Sequence, residues 1–207
     1  SLTKTIAGHG EALGGAVTDT GLFDWTSYPN LFPAYRKGDP KGWGLLQIRK
    51  KGLRDMGGTM CSDQAHRISV GSETLSLRVK QASGTALRLA QWLEHHPKID
   101  AVHYPWLPSH ADHERARRHF SAGSWLLSFE LRDPSTMVDV LNRLVLPVKS
   151  TGLGDTRTLI IPVAPTIFWE AGEETRKEMG IAEGLIRVSV GLEEETDLIA
   201  DFECALG

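Results

Sequence analysis

Lys4 offers the most chemistry of any side chain here, because of what surrounds it. Thr3 stands beside it, Ser1 lies just before, and Gly8-His9-Gly10 and Gly14-Gly15 follow. A lysine amine can form a Schiff base with a carbonyl cofactor and can afterwards move protons, provided burial or a nearby cation keeps it uncharged. The neighbouring hydroxyls can donate to a phosphate, and glycine backbone allows close approach. By itself Ser-x-Thr-Lys is a weak pattern that an exposed polar loop also satisfies.

A second candidate sits near the other end. Along Leu185 to Val190, Ile186, Val188 and Val190 share one strand face, which puts Arg187 on the other with Leu185 and Ser189. A guanidinium among branched apolar residues needs an anionic partner. Its planar fork suits a carboxylate, supplied either by a bound ligand or by a nearby Asp or Glu in a structural salt bridge. His110, His113 and His119 imitate metal-ligand spacing, but an Arg-rich solvated helix accounts for them, and no metal is expected. His9, in a Gly-His-Gly turn, is expected to make structural hydrogen bonds.

Together these segments resemble the Cys/Met-metabolism family of pyridoxal 5'-phosphate (PLP) enzymes, which includes cystathionine synthases and lyases, methionine gamma-lyase and the O-acetylhomoserine sulfhydrylases. The resemblance is carried by Thr3-Lys4, Gly8-His9-Gly10 and Gly14-Gly15. It returns in Leu185-Ile-Arg-Val-Ser-Val-Gly-Leu-Glu193 and Asp197-Leu-Ile-Ala-Asp201. It implies an α/β chain of the fold-type I PLP-dependent transferases (aspartate aminotransferase-like), covering the end of the large domain and the C-terminal α/β domain. Residues 1–75 would close the PLP-binding domain, 76–97 form a connecting helix and 98–207 form the small domain. By the same resemblance Lys4 carries PLP, Ser1 and Thr3 hold its phosphate, and Arg187 binds the substrate α-carboxylate. The chain would represent roughly the C-terminal half of such an enzyme.

Some positions depart from the family pattern. Gly152, in Thr151-Gly-Leu-Gly-Asp155, stands where a Ser or Asn is usual, leaving backbone N–H groups to face the substrate. Pro162 to Phe168 is apolar where the relatives are polar, and Val70 replaces an arginine. The implied activity is gamma- or beta-elimination or replacement on homoserine esters, cystathionine or related amino acids. The choice among synthase, lyase and sulfhydrylase stays open, with Gly21-Leu-Phe-Asp-Trp25 leaning towards the sulfhydrylases. A non-catalytic relative or fragment that only binds or assembles is the alternative.

The elements that must position these residues are read from periodicity. Ala16–Thr18 suggests a short strand, and the aromatic, proline-rich stretch 21–47 an irregular loop. Helices are expected over 45–58 and from Ser62 to about Val70. The strongest helical pattern lies between 71 and 96, with Leu75, Val79, Ala82, Ala86, Leu89 and Leu93 on one face and Arg78, Gln81, Arg88 and Gln91 elsewhere. Beyond it come a strand at Ile99–Tyr104, a helix at 110–120, a strand at Ser124–Leu131 and a helix at 135–144 built on Val138, Leu141 and Leu144. Strands at 157–163 and 184–191 precede a last helix through Leu198, Phe202 and Leu206, with acidic Glu193 to Asp197 complementing its dipole.

Bulk properties narrow the partners. A net charge of -3 gives no reason to expect nucleic acid or an anionic membrane, and no apolar run is long enough to span one. Cys61 and Cys204 are too few for a disulfide scaffold or zinc ribbon. A cytoplasmic enzyme taking a small amino-acid substrate is the expectation, with a homodimer or homotetramer implied by the resemblance alone.

Overall fold

The computed structural model describes residues 1–207. In chain order the helices and strands are α1 (Trp43–Gln47), α2 (Ser62–Glu73), α3 (Leu75–Glu94), β1 (Ile99–His103), α4 (His113–His119), β2 (Leu126–Leu131), α5 (Met137–Arg143), β3 (Val148–Lys149), β4 (Leu159–Pro162), α6 (Gly172–Glu178), β5 (Leu185–Ser189) and α7 (Glu195–Leu206). The stretch 16–18 forms no strand, and the aromatic segment after it is punctuated by three short 3-10 turns, each preceded by an Asp or Phe in extended conformation. Asp24 and Asp39 cap two of them by accepting from the backbone two residues on, the geometry that makes Asp a turn residue. The helix expected over 45–58 starts earlier, at Trp43, and widens into a π-helical stretch, Ile48–Asp55.

Five strands form one sheet in the order β1-β2-β5-β4-β3, antiparallel except for the β3–β4 pair. Alternation sorts its two faces. Leu127, Phe129, Leu131, Ile186, Val188 and Ile160 point to one side, where α3, α5 and α7 cover them in a single apolar core. α3 enters that core with Ala86, Leu89, Ala90 and Leu93, and α7 with Leu198, Phe202, Ala205 and Leu206. On α5 and just after it Met137, Val140, Leu141 and Leu144 are buried, so Leu141 and Leu144 face the core as read in sequence, while Val138 is 66% exposed and Met137 and Val140 take its part.

The opposite face carries a row of side chains across three strands, with Ser128 opposite Arg187 and Arg187 opposite Ile161. Arg187 is therefore fixed by register at the centre of the sheet, on the side away from the helices. A one-residue slip would drive it into the apolar core, which the cost of an unpaired charge forbids. The buried core thus sets the direction of Arg187.

Phe202 anchors that core, fully buried and edge-on to Phe129 with ring centroids 6.1 Å apart. Phe202→Ala is expected to lower unfolding stability by about 3–5 kcal/mol, measured by urea denaturation. A loss below about 1 kcal/mol would show that α7 does not hold the sheet as described.

Candidate active site

The lysine segment folds back on itself. Leu2 N–H and Thr3 N–H donate to Gly14 O, Ala7 N–H to Leu2 O, and Gly8 N–H to Lys4 O at 2.8 Å. Gly8 and Gly10 hold φ of 74° and 67°, the left-handed region that favours glycine. His9 Nδ1 lies 2.7 Å from Ala7 O, a bond within the turn, so His9 serves the loop as expected. Ala7 and Ala12 pack on Ile68 of α2, a three-residue cluster that seats the segment.

A second loop, 151–157, meets this one almost without side chains between them. A Cβ built on Gly154 would sit 2.3 Å from Thr5 Oγ1 and 2.6 Å from Thr5 N, and one on Gly10 would sit 2.6 Å from Asp155 Oδ2. The loop is braced from behind. Gly154 N–H donates to Ser189 Oγ of β5 at 2.8 Å, and Leu192 N–H to Thr156 O at 2.8 Å. Glu193 accepts from both the N–H and the hydroxyl of Thr158, at 2.7 and 2.6 Å. Glu193 thus lies outside α7 and ties two loops together, rather than complementing that helix's dipole as the sequence suggests.

Between the loops lies a cavity of about 660 Å³ lined by Thr3, Lys4, Ser150, Gly152, Asp155 and Arg157, among others. The Lys4 amine makes no ion pair and no hydrogen bond. Gly152 N–H, the donor left to face a substrate, instead donates to Ser150 Oγ at 3.1 Å, which leaves the Ser150 hydroxyl proton free at the cavity wall. Thr3 Oγ1 exchanges bonds with Gly14, donating to its carbonyl at 3.2 Å and accepting from its N–H at 3.0 Å. Ser1 is exposed, and Thr5 Oγ1 is buried with no partner.

Arg187 reaches the same loop from the sheet. Its Nη2 donates to Thr151 O at 2.9 Å and to Gly152 O at 3.3 Å. No carboxylate of this chain pairs with it. The half-buried guanidinium, whose pKa burial pulls down, keeps unused donors and an unmatched charge. His110, His113 and His119 do not converge with other potential ligands into a metal-binding group.

Sequence reasoning missed two parts of this arrangement. Arg78, read as facing away from the core, is 8% exposed and turned inward against the lysine segment. The signal was faint: its place one step off the apolar stripe of α3 is equally that of a solvated side chain. The Asp155–Arg157 pair was also missed. Burial raises the Asp155 pKa, but hydrogen bonds from the Arg157 side chain and N–H, its charge and the Thr156 hydroxyl outweigh this and hold the carboxyl below its ordinary 3.8.

The sequence model of the Cys/Met metabolism PLP-dependent enzymes matches residues 1–207. The chain belongs to this family. It is 36% identical to the homocysteine synthase of Schizosaccharomyces pombe over 100% of its own length and 51% of that protein. A Campylobacter jejuni protein assigned provisionally as an O-acetylhomoserine (thiol)-lyase superposes with a TM-score of 0.87 at 31% identity, covering 100% of this chain and 52% of that one. That structure carries N'-pyridoxyl-lysine-5'-monophosphate. A cystathionine gamma-lyase of Micromonospora echinospora follows with a TM-score of 0.82 and 32% identity, over 100% of this chain and 49% of that one. The fold is therefore that of the family's PLP-dependent enzymes, and the chain spans about half the length of the relatives it matches.

The residues present fit the family's cofactor. Lys4, exposed and without an ion pair or hydrogen bond, lines a cavity of adequate size, and the Ser150 hydroxyl at its wall has a proton to donate.

The depressed Asp155 pKa gives a signed expectation. A carboxyl whose folded pKa lies below the unfolded value stabilises fully above that unfolded value, and the contribution is lost as pH falls through the folded one. The stability advantage of the wild type over Asp155→Asn should therefore be full near neutrality and shrink below pH 3.8, read from urea midpoints across acid pH. A constant advantage through that range would mean that Asp155 is not held ionised by Arg157.

Proposed function

We propose that this chain provides the lysine loop and the substrate-carboxylate side of a PLP-dependent sulfur amino-acid enzyme of the transsulfuration type. The observation that carries this reading is the meeting of Lys4 and the Gly152 loop in one cavity, with Arg187 bonded to that loop and free of any carboxylate. The reaction class is gamma- or beta-elimination or replacement on homoserine esters, cystathionine or related amino acids. Sulfhydrylation is the favoured outcome. Its support is the naming of relatives as homocysteine synthase and as O-acetyl-L-homoserine sulfhydrylase, alongside the aromatic segment after Gly21.

Each residue's part follows from its chemistry. Lys4 would hold PLP, with Ser1 and Thr3 as phosphate ligands. Thr3 must first release its bond to Gly14 O, since a hydroxyl has one proton to give. When bound, PLP supplies an electron sink that acidifies the α-carbon of an amino acid. Lys4 Nζ takes and returns protons at the substrate α- and β-carbons. Arg187 binds the α-carboxylate through its free N–H groups and so fixes which bond at the α-carbon is presented for cleavage. Gly152 brings no side-chain donor to the carboxylate side, and the Ser150 hydroxyl offers one beside it.

The domain reading belongs to the same proposal. Residues 1–75 would complete a PLP-binding domain, 76–97 connect, and 98–207 form the small domain. In support, the main core draws only on residues from Ala86 onward, whereas the first part has three buried apolar residues of its own in a cluster. Leu13, Val17, Leu22, Phe23 and Met56 remain exposed there, a surface suited to further polypeptide. No helix is long and apolar enough to cross a membrane. A cytoplasmic homodimer or homotetramer completes the reading on the strength of the resemblance.

Full-length protein should be yellow with PLP, bleach on borohydride and lose its colour in Lys4→Ala. It should also convert O-acetylhomoserine and sulfide to a new thiol. Arg187→Lys should reduce kcat/KM by about 10- to 100-fold, the size of a lost charged hydrogen bond, while leaving the colour intact. A colourless protein that does not respond to PLP would instead favour a non-catalytic member of the fold.

A further inference from the structure

The cation with the least exposed surface in the molecule lies outside the set just described. Arg78 of α3 is enclosed, yet no carboxylate pairs with it. Its guanidinium is satisfied by neutral groups alone. Nη1 donates to Thr5 O at 2.8 Å, Nη2 to Ile6 O at 3.3 Å and also to Gly71 O, and Nε to Thr74 Oγ1 at 3.0 Å. The first two acceptors are the carbonyls directly after Lys4, in the turn closed by Gly8 N–H on Lys4 O.

Two glycines make room for this clasp. A Cβ on Gly8 would lie 1.9 Å from Arg78 Nη1, and one on Gly71 would lie 2.1 Å from Ala7 O. Backbone, guanidinium and helix are thus in contact with no slack. On the far side of the turn Thr5 presses on Gly154, whose loop carries the carbonyls held by Arg187. The lysine turn is consequently wedged between a grip from α3 and a wall belonging to the carboxylate side. An ammonium could not reproduce this grip, because one point charge cannot reach carbonyls diverging from a planar fork.

We propose that Arg78 is a positioning residue for Lys4, fixing the turn after it so that the amine projects at a set depth and spacing from Arg187. The inference rests on Lys4 being the cofactor lysine. It adds that the setting of this amine is controlled from the connecting helix, by a residue that touches neither cofactor nor substrate.

The test uses full-length protein with PLP and the variants Arg78→Met, Arg78→Lys, Gly8→Ala and Thr74→Val, with exposed Arg88→Ala as control. The readouts are the pH midpoint of the cofactor's visible band, PLP affinity, and the rate of borohydride fixation on Lys4, with circular dichroism to establish folding. Arg78→Met and Gly8→Ala should each move the midpoint by about one pH unit and weaken PLP binding by about 10-fold. Arg78→Lys should fail to rescue, Thr74→Val should show a smaller change in the same direction, and Arg88→Ala should match the wild type. Should Arg78→Met not fold, Gly8→Ala and Thr74→Val decide the matter. Folded variants with wild-type midpoint and fixation rate overturn the role of Arg78. A wild type that fixes no PLP on Lys4 overturns the parent reading, and this one with it.

Discussion

Everything near the site depends on close approach at positions that carry no Cβ. Thr5 against Gly154, Ala7 against Gly71 and the chain at Gly8 against the Arg78 guanidinium are contacts that any larger residue would push apart. Close packing of this kind transmits position, most directly at Gly71, where only main-chain atoms of Ala7 meet the glycine and no side-chain rotamer is there to relax. The lysine turn therefore inherits its place from two rigid bodies, the long helix α3 and the loop braced on β5.

The electrostatics follow one pattern at two arginines. Arg78 and Arg187 both lack a carboxylate, and both donate to main-chain carbonyls. Carbonyl dipoles satisfy hydrogen-bond geometry without cancelling charge, so each arginine keeps a positive field where a paired one would be neutralised. At Arg187 that field lies on the sheet face away from the helices, beside the carbonyls of Thr151 and Gly152. At Arg78, fully enclosed, the bonds bind helix to turn. Arg157 shows the contrast, since its pairing with Asp155 leaves a locally neutral unit at the cavity rim.

The sheet serves the site through its register. The apolar alternation of β2 and β5 buries one face under three helices, and the same alternation aims Arg187 and Ser189 at the other. Ser189 then holds Gly154, and Glu193, a few residues further on, holds Thr158. A single strand and the residues just after it therefore orient Arg187 and also fix the loop it bonds to. This is an economical reason for the dense motif from Leu185 to Glu193.

Much of this was legible in the sequence. The alternation of strands and helices, the buried stripe of α3, the inward phenylalanines and the strand-face placement of Arg187 follow from local period and residue chemistry, which a chain carries wherever it folds, whereas Lys4 stands out through the family resemblance. What tertiary structure alone decided is where polar groups find partners distant in sequence. Periodicity placed Arg78 in solvent because nothing local reveals that carbonyls some seventy residues upstream will receive it. Glu193 looked like a helix charge until Thr158 took both its oxygens, and Val138 is exposed while Met137 and Val140 join the expected Leu141 and Leu144 in the core. Residue types state what each group must satisfy; only the folded chain determines which neighbour satisfies it, because a hydrogen bond needs its partner within about 3 Å.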